Sequence, residues 1–397
     1  MQIQRSLTHS SRSETSPFAR GYEQSRENFV AWKDKIPGAV AEKVTVPSQD
    51  GKDLSVDILT IPAEGTAENV LVISSGVHGA EGAPGSAMQE LFLKEYLPNL
   101  DRKNSAVVLV HAVNPWGFEH NHRYTENNVD LNRNSVKDPE TFKNYPNKLY
   151  EGVKGLMTAK KPPAWYGLSQ ARMGLGLVGR LFTSGFDRSA VTQAVAGGQN
   201  IDPRGVNYAS TQHEPQIPAI RDVLKEKIGS AKNVVHYDIH TGLGARGHLH
   251  MIDNSDPKSV EASARYITPL TEDKTDTIWH NTSSDPGFYD VSLGDFTNVS
   301  EVAASPSANV MTYTAEVGTL GKGLLQQTDS ATRYHERNSL EFFTDELSEK
   351  KQQAILDRCT EMYNPTDDSW RDQMTGNFRK LFGHTVESFN EGLGEEK

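Results

Sequence analysis

Two histidines and a glutamate in this chain have the types and placing of metal ligands. His78 and Glu81 stand three apart in His78-Gly79-Ala80-Glu81, and His240 follows in Tyr237-Asp238-Ile239-His240-Thr241-Gly242. Imidazole nitrogen and carboxylate oxygen are donors that Zn²⁺ takes, and three protein ligands leave a fourth position for water, the pattern of a catalytic site. A further carboxylate delivered to the same edge, Glu316 in Thr314-Ala315-Glu316-Val317-Gly318, would complete a hydrolase.

Each of these pieces follows an apolar run that reads as a buried strand: residues 70–75, 234–239 and 310–315. His78 lies just past the first run, in a Gly76-Val77-His78-Gly79 turn leading into a helix. Ligands collect at the carboxyl ends of strands in open α/β sheets, so the location suits a site. Taken alone, His-x-x-Glu is equally a loop histidine and a helix-start glutamate favoured by the macrodipole. The second arm sharpens the pattern. Alternation puts Val234, His236, Asp238 and His240 on one face and Val235, Tyr237 and Ile239 on the other. Three titratable groups on one face are costly to bury unless paired or metal-bound. His240 is then the ligand, with Asp238 or His236 as its orienter. His248 and His250 form a competing pair, also readable as residues of a partly exposed strand. Glu316, on alternation alone, reads as a strand glutamate facing solvent.

Strands are expected at 43–46, 54–61, 70–75, 105–113, 233–240, 249–252 and 310–315, with helices at 87–96 and 217–228. Met88, Leu91, Phe92 and Tyr96 form one face of the first helix. The strand–helix–strand order predicts an α/β fold with a central mixed sheet flanked by helices. Residues 1–40 read as an N-terminal extension and 41–345 as the catalytic domain. Residues 140–215 are a long irregular insertion, with short helices near 149–157 and 173–182. Residues 346–397 read as a helical tail packed on the domain. The stretch from Ser330 onward reads as mostly helical, with Phe342, Phe343, Leu347, Ile355 and Met362 as buried-face candidates.

The chain has 397 residues, 36% of them apolar, and a net charge of −11. That balance argues against a nucleic-acid footprint or a polybasic membrane patch, and no run approaches the length of a membrane span. Nucleic acid and membrane are therefore not expected partners. The single Cys359 forbids an intrachain disulfide and fits a reducing compartment. Residues 1–21 lack the apolar core of a secretory signal, although their serines and arginines leave an organelle presequence open. Cytoplasm is the expected location. The oligomeric state is not legible.

Between the two arms lie Asn114-Pro115-Trp116-Gly117, then Arg123, then Asp130-Leu131-Asn132-Arg133. Guanidinium groups suit a substrate carboxylate or a polarised carbonyl. In this order the pieces resemble the zinc carboxypeptidase superfamily, which also contains aspartoacylase and succinylglutamate desuccinylase. Residues 197–208 and 240–244 are similar to a bacterial branch of it. The likeness covers roughly 40–340 and implies a zinc carboxypeptidase-like fold. It implies that His78, Glu81 and His240 bind Zn²⁺ and that Glu316 is the general base. Arg123 would stabilise the oxyanion, and Asn132 and Arg133 would hold a terminal carboxylate. The implied activity is metallopeptidase cleavage of a C-terminal amide in a peptide or small amino-acid conjugate with a free carboxylate. The alternative is deacylation of an N-acyl amino acid. Arg123 stands nine positions before Asn132 and Gly318 two after Glu316, both leaning toward the deacylase side. The mobile tyrosine of carboxypeptidases has only Tyr289 as a positional candidate.

Two other chemistries fit less well. No Gly-x-Ser-x-Gly elbow supports a serine hydrolase. Gly242-Leu243-Gly244-Ala245-Arg246-Gly247 follows a strand, but strand-like rather than helical sequence comes after it, which argues against a dinucleotide site.

Overall fold

A computed structural model describes residues 16–144, 147–185, 188–271, 277–281 and 294–393. Among these, eight strands form one mixed sheet in the order β1-β2-β4-β3-β5-β8-β6-β7. They are β1 (Val40–Val46), β2 (Leu54–Ile61), β3 (Asn69–Ser75), β4 (Ser105–His111), β5 (Asn233–Gly242), β6 (Leu249–Asp253), β7 (Thr277–Asn281) and β8 (Asn309–Gly318). The central strands β4, β3, β5 and β8 run parallel, and β1, β2 and β6 are antiparallel to their inner neighbours. The expected α/β fold with a mixed sheet and flanking helices is present.

Helices α1 (Gly82–Leu91), α2 (Tyr166–Thr183), α3 (Gln216–Ile228), α4 (Val260–Thr271), α5 (Leu324–Phe343), α6 (Glu349–Tyr363) and α7 (Asp368–Glu391) carry the argument below. The first expected helix starts five residues earlier than read, because Gly82 to Ser86 lie close under the strand turn, and it ends in a π turn, Phe92–Tyr96. The strand read as 105–113 stops at His111, where Ala112 takes a left-handed φ of 56°. Strand β7 lies outside the strands that the sequence pattern predicts.

The sheet has two packed faces, as buried parallel strands require. On one, Leu71, Ile73, Leu109, Val235, Tyr237 and Met311 meet Met88 and Phe92 and the α7 side chains Trp370, Met374, Phe378 and Phe382. On the other, Val70, Val72, Val108, Val234 and Val310 meet Ile217, Ile220 and Leu224 of α3. In the tail, Leu347, Ile355 and Met362 are buried, whereas Phe342 and Phe343 are half-buried with the Arg204 guanidinium 4.7 Å and 5.1 Å from their ring centres. Among the described residues no helix is long and apolar enough to cross a membrane.

Several histidines are built into this core in neutral form. His111 stacks on Phe29 with ring centres 4.5 Å apart. Burial pushes His111 and His122 down to about 3 and His236 down to about 4. A histidine held below its unfolded value is neutral in the folded chain and protonated in the unfolded one across the window between the two. Its contribution is fully present above the unfolded value near 6.5 and is lost as pH falls toward the folded value. Denaturant unfolding between pH 6.5 and 4 is therefore expected to show stability falling by about 1.4 kcal/mol per pH unit for each such histidine. His111→Gln should remove one proton's worth of that slope.

Candidate metal centre

The first arm is shaped by close backbone approach. Strand β3 ends at Ser75, whose hydroxyl donates to Gln89 Oε1 at 2.9 Å, and Gln89 Nε2 donates to the Ile73 and Val110 carbonyls. The chain then turns at Gly76, with φ 67°, so that His78 leaves the sheet over the end of β3. Gly79 lies against the neighbouring loop: a Cβ there would sit 2.0 Å from the Gly117 carbonyl carbon. Only glycine permits that approach. Asn114 accepts from Gly117 N at 2.9 Å, capping the short helix Pro115–Glu119, and donates to the Arg123 carbonyl at 3.1 Å. Main-chain bonds from Gly79 N to Arg123 O and from Ala80 N to His122 O complete the junction. The Asn-Pro-x-Gly segment thus works as a splint that brings Arg123 to His78.

The second and third arms come from neighbouring strands. In β5 and β8, His240 and Glu316 are paired in register. The side chains alternate as expected, Val235, Tyr237 and Ile239 entering the core that holds α7 while His236, Asp238 and His240 are buried on the other face.

These arms meet. His78 Nδ1 lies 2.9 Å from Glu81 Oε1, and His240 Nδ1 lies 3.0 Å from both Glu81 Oε2 and His78 Nδ1. Among the described residues, His78, Glu81 and His240 are the group whose ligand atoms, all within 4.8 Å of one another, could hold a metal ion. All three are buried. On the outer side of each ring stands a carboxylate: His78 Nε2 is 3.2 Å from Asp130 Oδ1, and His240 Nε2 is 2.6 Å from Asp238 Oδ2. An outer carboxylate of this kind holds the hydrogen on Nε2 in carboxylate–histidine–metal arrangements, which leaves Nδ1 as the ligand atom. With a hydrogen on each Nε2, a cation among the two Nδ1 atoms and the Glu81 carboxylate would meet two lone pairs and a negative charge. The donor set therefore fits a divalent metal.

The supporting shell is fully bonded. Ser74 donates to Asp238 Oδ1 at 2.6 Å, and its oxygen is 2.9 Å from His236 Nε2. His236 Nδ1 in turn lies 2.9 Å from the Ser300 hydroxyl. Of the two expected orienters, Asp238 touches His240 and His236 acts one step behind it. Asp130 also accepts from Arg123 Nη2 at 3.3 Å and Asn132 N at 2.9 Å. Burial opposes ionisation of Glu81, but His78 and His240 outweigh it and hold the carboxyl well below the usual range. For Asp130 burial is likewise outweighed, by Arg123 and His78.

Glu316 is buried, accepts from Leu243 N at 2.8 Å, and is pushed up to about 7 by burial and by the Glu81 carboxylate. His250 is paired in register with Glu316 on its other side. It accepts from Ala245 N at 3.0 Å and lies 3.0 Å from His280 Nε2, so it braces the 243–247 loop rather than joining the triad. The Arg123 guanidinium stands 3.4 Å from Glu81 Oε1 and 4.9 Å from the Tyr334 ring centre. Asn132 accepts from Phe296 N at 2.7 Å, and Arg133 is buried with Nε donating to Ala196 O at 2.8 Å and Nη1 to Asn132 O at 2.7 Å. Tyr289 lies outside the described residues.

Sequence reasoning missed two contributors. Asp130 was in plain view in Asp-x-Asn-Arg but carried no assigned role. The other is the cover: Thr241 donates to the Tyr363 carbonyl at 2.5 Å, and Tyr334, Cys359, Met362 and Tyr363 line a narrow cavity with Arg123. Nothing in the α5 or α6 sequence marks these residues as site-facing.

Asp238→Asn and Asp130→Asn should each weaken divalent-metal affinity by about 10- to 100-fold, read by competition with a chromogenic chelator. His240→Ala should abolish stoichiometric metal in the purified protein; a full metal equivalent in that variant would move the ligand elsewhere.

The family model described as "Protein of unknown function (DUF2817)" matches residues 18–377. No curated protein matches the sequence. Among solved structures the chain is similar to carboxypeptidase A from Helicoverpa armigera, at 16% identity and a TM-score of 0.45, with 86% of this chain and 73% of that one covered. It is similar to thrombin activatable fibrinolysis inhibitor at 13% identity and a TM-score of 0.45, covering 88% and 80%. A metallo-carboxypeptidase from Burkholderia cenocepacia gives 12% identity and a TM-score of 0.40, covering 82% and 70%.

Proposed function

The chain belongs to the DUF2817 family, and we propose that it is a zinc-dependent amide hydrolase acting on a short peptide or small amino-acid conjugate with a free carboxylate. The observation that carries this reading is the convergence of two inward Nδ1 atoms and the Glu81 carboxylate, with Glu316 beside them on the next strand. Two imidazoles and one carboxylate are a donor set suited to Zn²⁺. Zinc held by His78, Glu81 and His240 would act as a Lewis acid, polarising the scissile carbonyl and making water a better nucleophile.

The chain's own groups supply the rest. Glu316 is the base: its carboxylate takes the proton from the attacking water and returns it to the leaving nitrogen. The Leu243 N–H bond fixes one of its oxygens and leaves the other for that transfer. Arg123, oriented by Asp130, presents a guanidinium to the oxygen on which negative charge develops. Asn132 and Arg133 remain the proposed clamp for the substrate carboxylate, and engaging it would require Arg133 to exchange its bonds to the Ala196 and Asn132 carbonyls. The buried triad and the cover of Tyr334 and Tyr363 support a small substrate over an extended polypeptide.

Product analysis by mass spectrometry, on zinc-loaded protein given short peptides and N-acyl amino acids, tests the reading. Chelator-sensitive release of C-terminal residues would make the enzyme a carboxypeptidase, and release of acyl acids a deacylase. On the substrate so found, Glu316→Gln should keep its metal and lose more than about 100-fold in turnover. Turnover within about tenfold of wild type would remove Glu316 from the role of base.

A further inference from the structure

Helix α2, in the insertion, has two apolar faces where a surface helix needs one. Its inner face is accounted for: Met173 and Leu177 pack with Tyr150, Val153, Ala331 and Tyr334. Its outer face carries Leu168, Ala171, Leu175 and Val178, spaced three and four apart over three turns. Leu175 is 75% exposed, and Trp165, just before the helix, is 77% exposed. Leu325, at the start of the neighbouring α5, is 79% exposed. Single exposed apolar residues are ordinary; a continuous stripe of them marks an interaction surface.

Charge decides what it meets. The chain as a whole is acidic, at −11, yet residues 152–185 contain Lys154, Lys160, Lys161, Arg172 and Arg180 and no aspartate or glutamate. Lys160, Lys161 and Arg172 are exposed; Arg172 lies one turn from Leu168 and Leu175 along the helix, and Lys160 and Lys161 precede Trp165 by five and four positions. We propose that α2 is an interfacial anchor that lays its outer face into an anionic lipid surface. Apolar side chains would enter the acyl boundary, Trp165 would sit at headgroup level, and the flanking cations would meet lipid phosphate. A second copy of the chain suits the stripe less well. An isologous contact would bring this cation-bearing segment against its own copy, with no acidic residue in the segment to answer the like charges. The whole-chain charge that spoke against a membrane patch averages over this acid-free segment, and the lack of a spanning helix says nothing of one lying in the membrane plane.

The test is sedimentation of the full chain with vesicles of phosphatidylcholine alone and with vesicles containing about a quarter phosphatidylglycerol, at low and high salt. The expected result is at least about tenfold stronger partition to the anionic vesicles, weakened by salt. The pair Leu175→Asp with Val178→Asp should lower that partition about tenfold or more. The pair Lys160→Glu with Lys161→Glu should do the same from the charge side, and both should leave the thermal unfolding midpoint unchanged. No partition of the wild-type protein to either vesicle would overturn the proposal, as would partition that both variants retain. A concentration-dependent dimer in sedimentation velocity, dissolved by Leu175→Asp and unaccompanied by vesicle binding, would assign the face to a second copy instead. None of these readouts depends on hydrolysis, so the anchor and the catalytic reading can fail separately.

Discussion

Two imidazole nitrogens held 3.0 Å apart beside a buried carboxylate are an arrangement that a protein must pay to keep. Much of the structure can be understood as the means of holding it. Asp130 and Asp238 fix the outer hydrogen of each ring, and both are themselves bonded, one to Arg123 and Asn132 and the other to Ser74. Ser74 and His236 extend that support to Ser300, across the helix that follows the Asp295 turn. A ring fixed in this way keeps its tautomer, and the tautomer decides which nitrogen faces the metal.

Backbone does the coarse positioning and side chains the fine. Parallel strands β3, β5 and β8 deliver His78, His240 and Glu316 to one edge because their registers match, His240 lying directly across from Glu316. The Gly76–Gly79 turn then lets a second loop come to within van der Waals contact, and Asn114 ties that loop down. Arg123 and Asp130 reach the centre through this junction, although more than forty positions separate each of them from His78 along the chain.

What could be read from the sequence follows from the same division. The central strands were legible because both faces are buried, leaving unbroken apolar runs such as 70–73 and 107–110. The His236, Asp238, His240 face was legible because polar groups alternating with apolar ones in a buried strand need partners. Strand β7 was not, since Thr277–Asn281 mixes polar and apolar residues at an edge. The roles of Asp130 and Tyr363 were hidden for a different reason. Each depends on contact between elements far apart in the chain, and no local pattern encodes that. The tail misled in a similar way: Phe342 and Phe343 looked like core but lie under Arg204, while Trp370, Phe378 and Phe382 fill the sheet's main core.

That last placement bears on how the protein is made. Trp370, Met374, Phe378, Phe382 and Phe389 are packed among Leu71, Ile73 and Val235, so the central core contains side chains synthesised after His78, Glu81, His240 and Glu316. Tyr334 and Tyr363, which close over Arg123, are also late. A nascent chain that has already synthesised every metal donor and Glu316 still lacks one wall of its hydrophobic core. Its strands must wait, with apolar surface open, until α7 arrives. The folded site thus waits on the synthesis of α7, and a chain stopped before that helix carries His78, Glu81, His240 and Glu316 without the frame that aligns them.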